Sequence, residues 1–316
     1  MATAPPIARR PSADDDYIRD GPSEWMEIDW RAHQCWLTIA GRRVNVIDLG
    51  EGPPILFIHG LAGSWHNWLE NLPHFARCHR VIAVDLPGFG YSEMPADEVS
   101  ISGYATGLLD LFDALGVQRA ALVGNSMGGF VGAEMSLVAP ERVSHLVLVA
   151  GAVLWNERRR SRPLTTLTRI TQAYSAVLAT QWRRAARRPR LRELSFHQVA
   201  RHPRRFPAPL AYEQLVHVGS REGFAAALHA LHSYSLRGRL PEISCPTLLV
   251  WGSDDRLVPS RQGHDLAEAI PDARLVVFED TGHVPQLERP ARFNALLEEF
   301  LAEYPPAGGS AGDRAL

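Results

Sequence analysis

The sequence predicts an α/β fold: a mostly parallel central sheet with helices on both faces and an inserted helical cap. Three observations lead there. Short runs rich in Val, Ile and Leu alternate with longer amphipathic stretches, the pattern of repeated βαβ units. In Leu122-Val123-Gly124-Asn125-Ser126-Met127-Gly128-Gly129, a serine sits between glycines where one such run meets a helical pattern. From Ala152 to about Gly238 the periodicity is helical only, with no strand pattern. At 316 residues, 46% hydrophobic and 22% charged, the chain is long enough for one large core plus a lid.

Taken in order, residues 1–24 are rich in Pro, Arg and Asp and lack an apolar signal-peptide core, so they read as a flexible leader. Trp36 to Ile39 and Val44 to Leu49 form an expected antiparallel pair turned at Gly41. Buried strands are expected at Ile55 to Ile58, Val81 to Val84, Ala120 to Val123, Leu146 to Val149, Thr247 to Val250 and Leu275 to Phe278. Ser102 to Leu115 carries Leu108, Leu111, Phe112 and Leu115 on one helical stripe and stops at Gly116. Met127 to Val138 follows the serine, and Arg292 to Phe300 closes the domain. The core is therefore assigned to residues 25–151 and 239–304, the helical cap to 152–238, and a disordered tail to 305–316.

Composition narrows the function classes. No apolar run reaches the roughly 20 residues of a membrane span. Cys35, Cys78 and Cys245 are odd in number and widely spaced, which argues for a reducing compartment, and a cytoplasmic location is expected. All 33 basic residues are arginine, the signature of GC-rich codon usage. Glu157 to Arg205 holds 14 arginines against Glu157 and Glu193, a net +12, in a chain of net −2. Contact of this basic cap with anionic membrane surfaces is one reading. A solvated face paired with the acidic remainder is the favoured one. Nothing in the segment has the interleaved pattern of a nucleic-acid binder.

The chemistry centres on Ser126. A sharp strand-to-helix turn strains the middle residue and lifts its hydroxyl to a helix N-terminus, where partial positive charge favours an oxyanion. A serine hydroxyl needs a base as it attacks, and His283 lies in a Gly-containing loop after the last expected strand. The imidazole in turn needs a carboxylate to hold its tautomer; Asp254 and Asp255 stand side by side.

From about Trp36 to Tyr304 the chain resembles the α/β-hydrolase superfamily through four motifs in order. They are His59-Gly60-Leu61-Ala62-Gly63, Asp85 to Ser92 (Asp-Leu-Pro-Gly-Phe-Gly-Tyr-Ser), the Ser126 turn, and Trp251 to Pro259 followed by Thr281-Gly282-His283. The resemblance implies a catalytic triad of Ser126, Asp255 and His283, with Asp255 chosen over Asp254 by its distance from Pro259. It also implies an oxyanion hole from the backbone N–H groups of Leu61 and Met127. His59 and the Asp85 motif are read as structural. Trp65, Trp68, Trp155 and Trp182 are candidates to line an apolar cavity. His229 and His232, at i, i+3 spacing, lack Cys or carboxylate partners, so no metal and no cofactor are expected.

A serine at this position argues against halide displacement and epoxide opening, which relatives perform with an aspartate. Acyl transfer remains. The first expectation is a carboxylic ester hydrolase of esterase, lipase or lactonase type, acting on a small or medium hydrophobic ester through an acyl-enzyme on Ser126. The alternative is a carbon–carbon bond hydrolase of aromatic meta-cleavage products, because the Gly-Asn-Ser-Met-Gly-Gly turn resembles that group's. Two departures rank it second: the loop reads His-Gly-Leu-Ala-Gly-Ser, and Val284-Pro285 follows His283 where that group usually has Trp. A non-enzymatic receptor is the third reading.

Overall fold

The computed structural model describes residues 8–10, 16–154, 186–217 and 219–304. Among these, a nine-stranded sheet runs in the order β1-β9-β8-β7-β6-β4-β5-β3-β2. The strands are Ala8–Arg10 (β1), Gln34–Ile39 (β2), Arg42–Leu49 (β3), Pro54–Ile58 (β4), Arg80–Val84 (β5), Ala120–Asn125 (β6), Val143–Val149 (β7), Thr247–Gly252 (β8) and Ala273–Phe278 (β9). β2 pairs antiparallel with β3 and β3 antiparallel with β5; every other pairing is parallel. This is the α/β-hydrolase fold, and all eight strands expected from the apolar runs lie within it.

Alternation along each strand sends side chains to two cores. Leu56, Ile58, Ile82, Val84, Leu122, Leu146 and Leu148 face one side. Ile55, Phe57, Val81, Ala83, Val123, Val147 and Val149 face the other. On the first face lie helices α2 (Ile101–Ala114) and α3 (Met127–Val138). Helix α2 buries Leu108, Leu111 and Phe112 as its stripe predicts, and Ser100 caps it by accepting from Gly103 N at 2.9 Å. Such a cap is worth about 1 kcal/mol. On the second face lie α1 (Leu72–Phe75) and the closing helix Pro290–Glu303, which buries Phe293, Leu296, Leu297 and Phe300.

Between β7 and β8 the described residues hold helices Pro189–Phe196 (α4), Ala208–Val216 (α5) and Arg221–Ser233 (α6) and no strand. Thr165 to Ala179, a helix-like stretch of sequence within the expected cap, lies outside the described residues, as do residues 305–316, the expected tail.

The leader reading does not hold for the described part of residues 1–24. β1 extends the sheet beside β9, and Tyr17 and Ile18 are buried. Tyr17 is held by a long-range partner: its hydroxyl donates to Glu288 Oε2 at 2.8 Å. The segment lacks hydrophobic periodicity of its own, which is why sequence reading passes over it.

Candidate active site

Ser126 terminates β6 and starts α3 with φ 53° and ψ −113°, the left-handed half of the map that a side chain rarely tolerates. The turn survives because Gly124 and Gly128, two residues away on either side, have no side chains. A methyl group on Gly128 would sit 2.2 Å from the Ile58 carbonyl oxygen and 2.6 Å from that of His59, both backbone atoms of β4 and its loop. Gly128→Ala is therefore expected to cost more than about 3 kcal/mol in a denaturant titration. A loss under 1 kcal/mol would mean that the β4–α3 approach is looser than these distances. The Ser126 carbonyl accepts from Gly129 N, Phe130 N and Ala152 N at 3.1, 3.3 and 3.0 Å, and its N–H donates to Val149 O at 2.9 Å.

The loops after β8 and β9 bring the acid to the base. Gly252 lets them touch, since a Cβ there would lie 2.1 Å from Gly282 O. Ser253 N then donates to Phe278 O, and Asp254 N to Thr281 O, both at 2.9 Å. Across this contact His283 Nδ1 meets Asp255 Oδ2 at 2.7 Å, with both side chains almost wholly buried. The other oxygen, Oδ1, accepts from Leu257 N and Val258 N at 2.8 Å each. An ionised carboxylate with its lone pairs so engaged holds the imidazole with its proton on Nδ1. Asp254 turns away, accepting from Ser253 Oγ at 2.8 Å and pairing with Arg201 Nε at 3.2 Å. Spacing from Pro259 thus picks the carboxylate that faces the histidine.

His283 is anchored beside the serine turn. Asn125, the residue before Ser126, donates through Nδ2 to Val149 O at 2.9 Å and to His283 O at 3.3 Å. The His59 loop abuts the same turn, because a methyl on Gly60 would lie 3.2 Å from Ser126 Cβ. Among the described residues, no protein acceptor takes the N–H of Leu61 or of Met127.

His59 is structural. Its Nε2 accepts from Leu86 N at 3.0 Å, so Nδ1 carries the proton and donates to Gly60 O at 2.7 Å. Burial pushes this imidazole down to about 4, which keeps it neutral. Asp85 organises the adjoining loop by accepting from Trp65 N, Tyr91 N and Asn45 Nδ2 at 2.8, 2.9 and 2.8 Å. Trp68 is plain packing against Phe57 and Phe293, whereas Trp65 lines a cleft with Trp30, His66 and Tyr91. Trp155 and Trp182 lie outside the described residues. His229 and His232 are both exposed on α6.

Sequence reading misses two clusters. Glu288 sits beneath the His283 loop, accepting from Gly282 N at 2.8 Å, Arg201 N at 2.7 Å and the Tyr17 hydroxyl. Burial pushes its carboxyl up to about 7. The second cluster is His66, Glu213 and His217, whose ligand-capable atoms all lie within 4.8 Å of one another. Only the i, i+4 spacing of Glu213 and His217 is visible in sequence; His66 is far away in the chain. Of the Arg-rich stretch, Arg201 pairs with Asp254 and Asp280, and the largely buried Arg192 donates to Ala186 O at 2.6 Å and Arg204 O at 2.9 Å. Arg158 to Arg184 lie outside the described residues.

The chain belongs to the α/β-hydrolase fold family, whose model matches residues 53–290, and it is a hydrolase of that superfamily. It is similar to the 2-hydroxymuconate semialdehyde hydrolase of Pseudomonas sp. strain CF600. Identity is 34% over 274 residues, covering 84% of this chain and 92% of the relative. Among solved structures it is similar to a meta-cleavage product hydrolase from Pseudomonas fluorescens IP01. The TM-score is 0.69 and identity 26%, with 85% of this chain and 97% of that one covered. A thermophilic esterase from Thermogutta terrifontis matches with TM-score 0.68 and 25% identity over 86% of this chain and 98% of its own. No helix among the described residues is long and apolar enough to cross a membrane.

Proposed function

We propose that this chain is a serine hydrolase that cleaves a carbon–carbon bond next to a ketone or aldehyde carbonyl in ring-fission products of aromatic compounds. Ser126, His283 and Asp255 act as its triad, and the helical segment between β7 and β8 acts as its cap. The similarity to 2-hydroxymuconate semialdehyde hydrolase over 84% of the chain carries the choice of bond, and reverses the order in which the sequence ranks ester and carbon–carbon cleavage.

The bound dienol first passes to its keto tautomer, its 2-hydroxyl proton moving to the carbon next to the carbonyl under attack. That shift makes the substrate a vinylogous 1,5-dicarbonyl. The remaining steps balance with these residues. Ser126 Oγ adds to the carbonyl carbon as His283 Nε2 takes its proton, and the oxyanion faces the N–H groups of Leu61 and Met127. Each such donor contributes about 2.7–4 kcal/mol to the transition state. Collapse breaks the carbon–carbon bond, and its electron pair passes into the conjugated dienolate, which takes the proton from His283. Water then attacks the acyl-enzyme with His283 as base, releasing the acid and restoring the serine. A carbon leaving group departs this way only when conjugation spreads its charge, which restricts the substrate to vinylogous 1,5-dicarbonyl compounds.

The second reading keeps the same residues and replaces the carbon leaving group by an alkoxide, as in the esterase of similar structure. A small or medium hydrophobic ester is then the substrate. Steady-state rates on 2-hydroxymuconate semialdehyde and on p-nitrophenyl butyrate separate the two. The expected kcat/KM is at least about tenfold higher for the dienol semialdehyde, a difference of about 1.4 kcal/mol in transition-state binding. A preference of that size for the ester overturns carbon–carbon cleavage in favour of ester hydrolysis.

A further inference from the structure

The chain holds a second cluster of ligand-type side chains, separate from Asp255 and His283. Glu213 lies in the last turn of α5 and His217 caps that helix four residues on, its N–H donating to Glu213 O, so the two side chains stand side by side. His66 meets them from the short turn Trp65–Trp68, just beyond the His59 loop. His217 Nε2 lies 3.1 Å, and His66 Nε2 3.9 Å, from the same atom, Glu213 Oε2. Two imidazole nitrogens converging on one carboxylate oxygen form the donor set that borderline divalent metals select.

We propose that His66, Glu213 and His217 bind one Zn²⁺ ion through Nε2, Oε2 and Nε2, with water at the fourth position. Four features of the surroundings support it. Ser64 Oγ lies 3.0 Å from His66 Nδ1, so the hydroxyl occupies the ring nitrogen not used for the metal and orients the ring, as the outer partner of a metal-binding histidine does. His66 is itself buried, so an ion held there is shielded from bulk water. The two halves are already tied together: Gln214 Nε2 donates to His66 O at 2.7 Å, and Asn67 Nδ2 to Gln214 Oε1 at 2.6 Å. A cleft of about 200 Å³ lined by Trp65, His66, Tyr91 and Glu213 provides the route from solvent.

The imidazoles stack at 3.7 Å with planes 7° apart. Parallel rings do not aim both lone pairs at one point, so binding tilts them toward each other and draws Nε2 and Oε2 in to about 2.0–2.2 Å from the metal. Without metal, the Nε2–H of His217 donates to Glu213; binding through Nε2 moves that proton to Nδ1 of the same ring. The site does not depend on which bond the enzyme cleaves.

Equilibrium dialysis of the full chain against ZnCl₂ tests the proposal, with melting temperature as a second readout. The expected result is one Zn²⁺ per chain and a melting temperature that rises with zinc. His217→Ala should weaken binding at least about tenfold and abolish the melting shift. Glu213→Gln, a conservative change on a half-buried helix face, should weaken binding without disturbing the zinc-free protein. Cys78→Ser, at an exposed free cysteine, should bind as the parent does. The proposal is overturned if the parent binds no zinc, if His217→Ala and Glu213→Gln bind it as the parent does, or if Cys78→Ser abolishes it.

Discussion

Ser126→Ala is expected to lower kcat by about 10⁴-fold or more on any substrate the enzyme turns over, with KM little changed. The loss is large because no other group near the turn can form the covalent bond: Asn125 on one side is committed to Val149 O and His283 O, and Met127 on the other is apolar. Alanine keeps the backbone strain at φ 53°, so the fold should tolerate it as well as it tolerates serine. Unchanged melting with abolished turnover is the combined outcome expected. Turnover within tenfold of the parent would remove the serine from the mechanism, and with it both the carbon–carbon and the ester readings.

Asp255→Asn is expected to be nearly as damaging, about 10⁴-fold in kcat. The reason lies in the two N–H groups of Leu257 and Val258, which donate to Oδ1. An asparagine must keep its carbonyl oxygen toward those donors, so its NH₂ faces His283 Nδ1. That nitrogen then has to accept, the ring proton moves to Nε2, and the nitrogen required to take the Ser126 proton is already protonated. Asp254→Asn makes the contrast. Asp254 sits part-exposed beside Arg201, an ion pair worth roughly 0–1 kcal/mol, and its loss should leave kcat within about threefold. Equal effects at the two positions would contradict the division of labour described above. Stopped-flow rates for the two variants, side by side, make the measurement.

The parts of this molecule that sequence foretells are those whose cause is local. Strands β4 to β9 are short apolar runs bounded by turn residues, and alternation within them assigns each side chain to a face. Ser126 is legible because a strained turn demands glycines two residues away on both sides, at Gly124 and Gly128. Asp255 is legible through its distance from Pro259. What escapes the sequence depends on partners far along the chain. Tyr17 is buried because a carboxylate at position 288 awaits its hydroxyl, and nothing near position 17 announces it. His66 acquires its neighbours only when α5 packs over the Trp65–Trp68 turn. Helix α2 starts one residue early because Ser100 caps it, a cap that periodicity does not locate.

The chain leaves the sheet after β7 and re-enters at β8, while Ser126 precedes that excursion and Asp255 and His283 follow it. These three residues and the intervening helices are thus contributed by different lengths of polypeptide. The two lengths are stitched together where they meet: Ala152 N donates to Ser126 O, and Val199 O accepts from His283 N. An exchange of that interval between relatives must therefore preserve the backbone positions of Ala152 and Val199 if Ser126 and His283 are to keep their places.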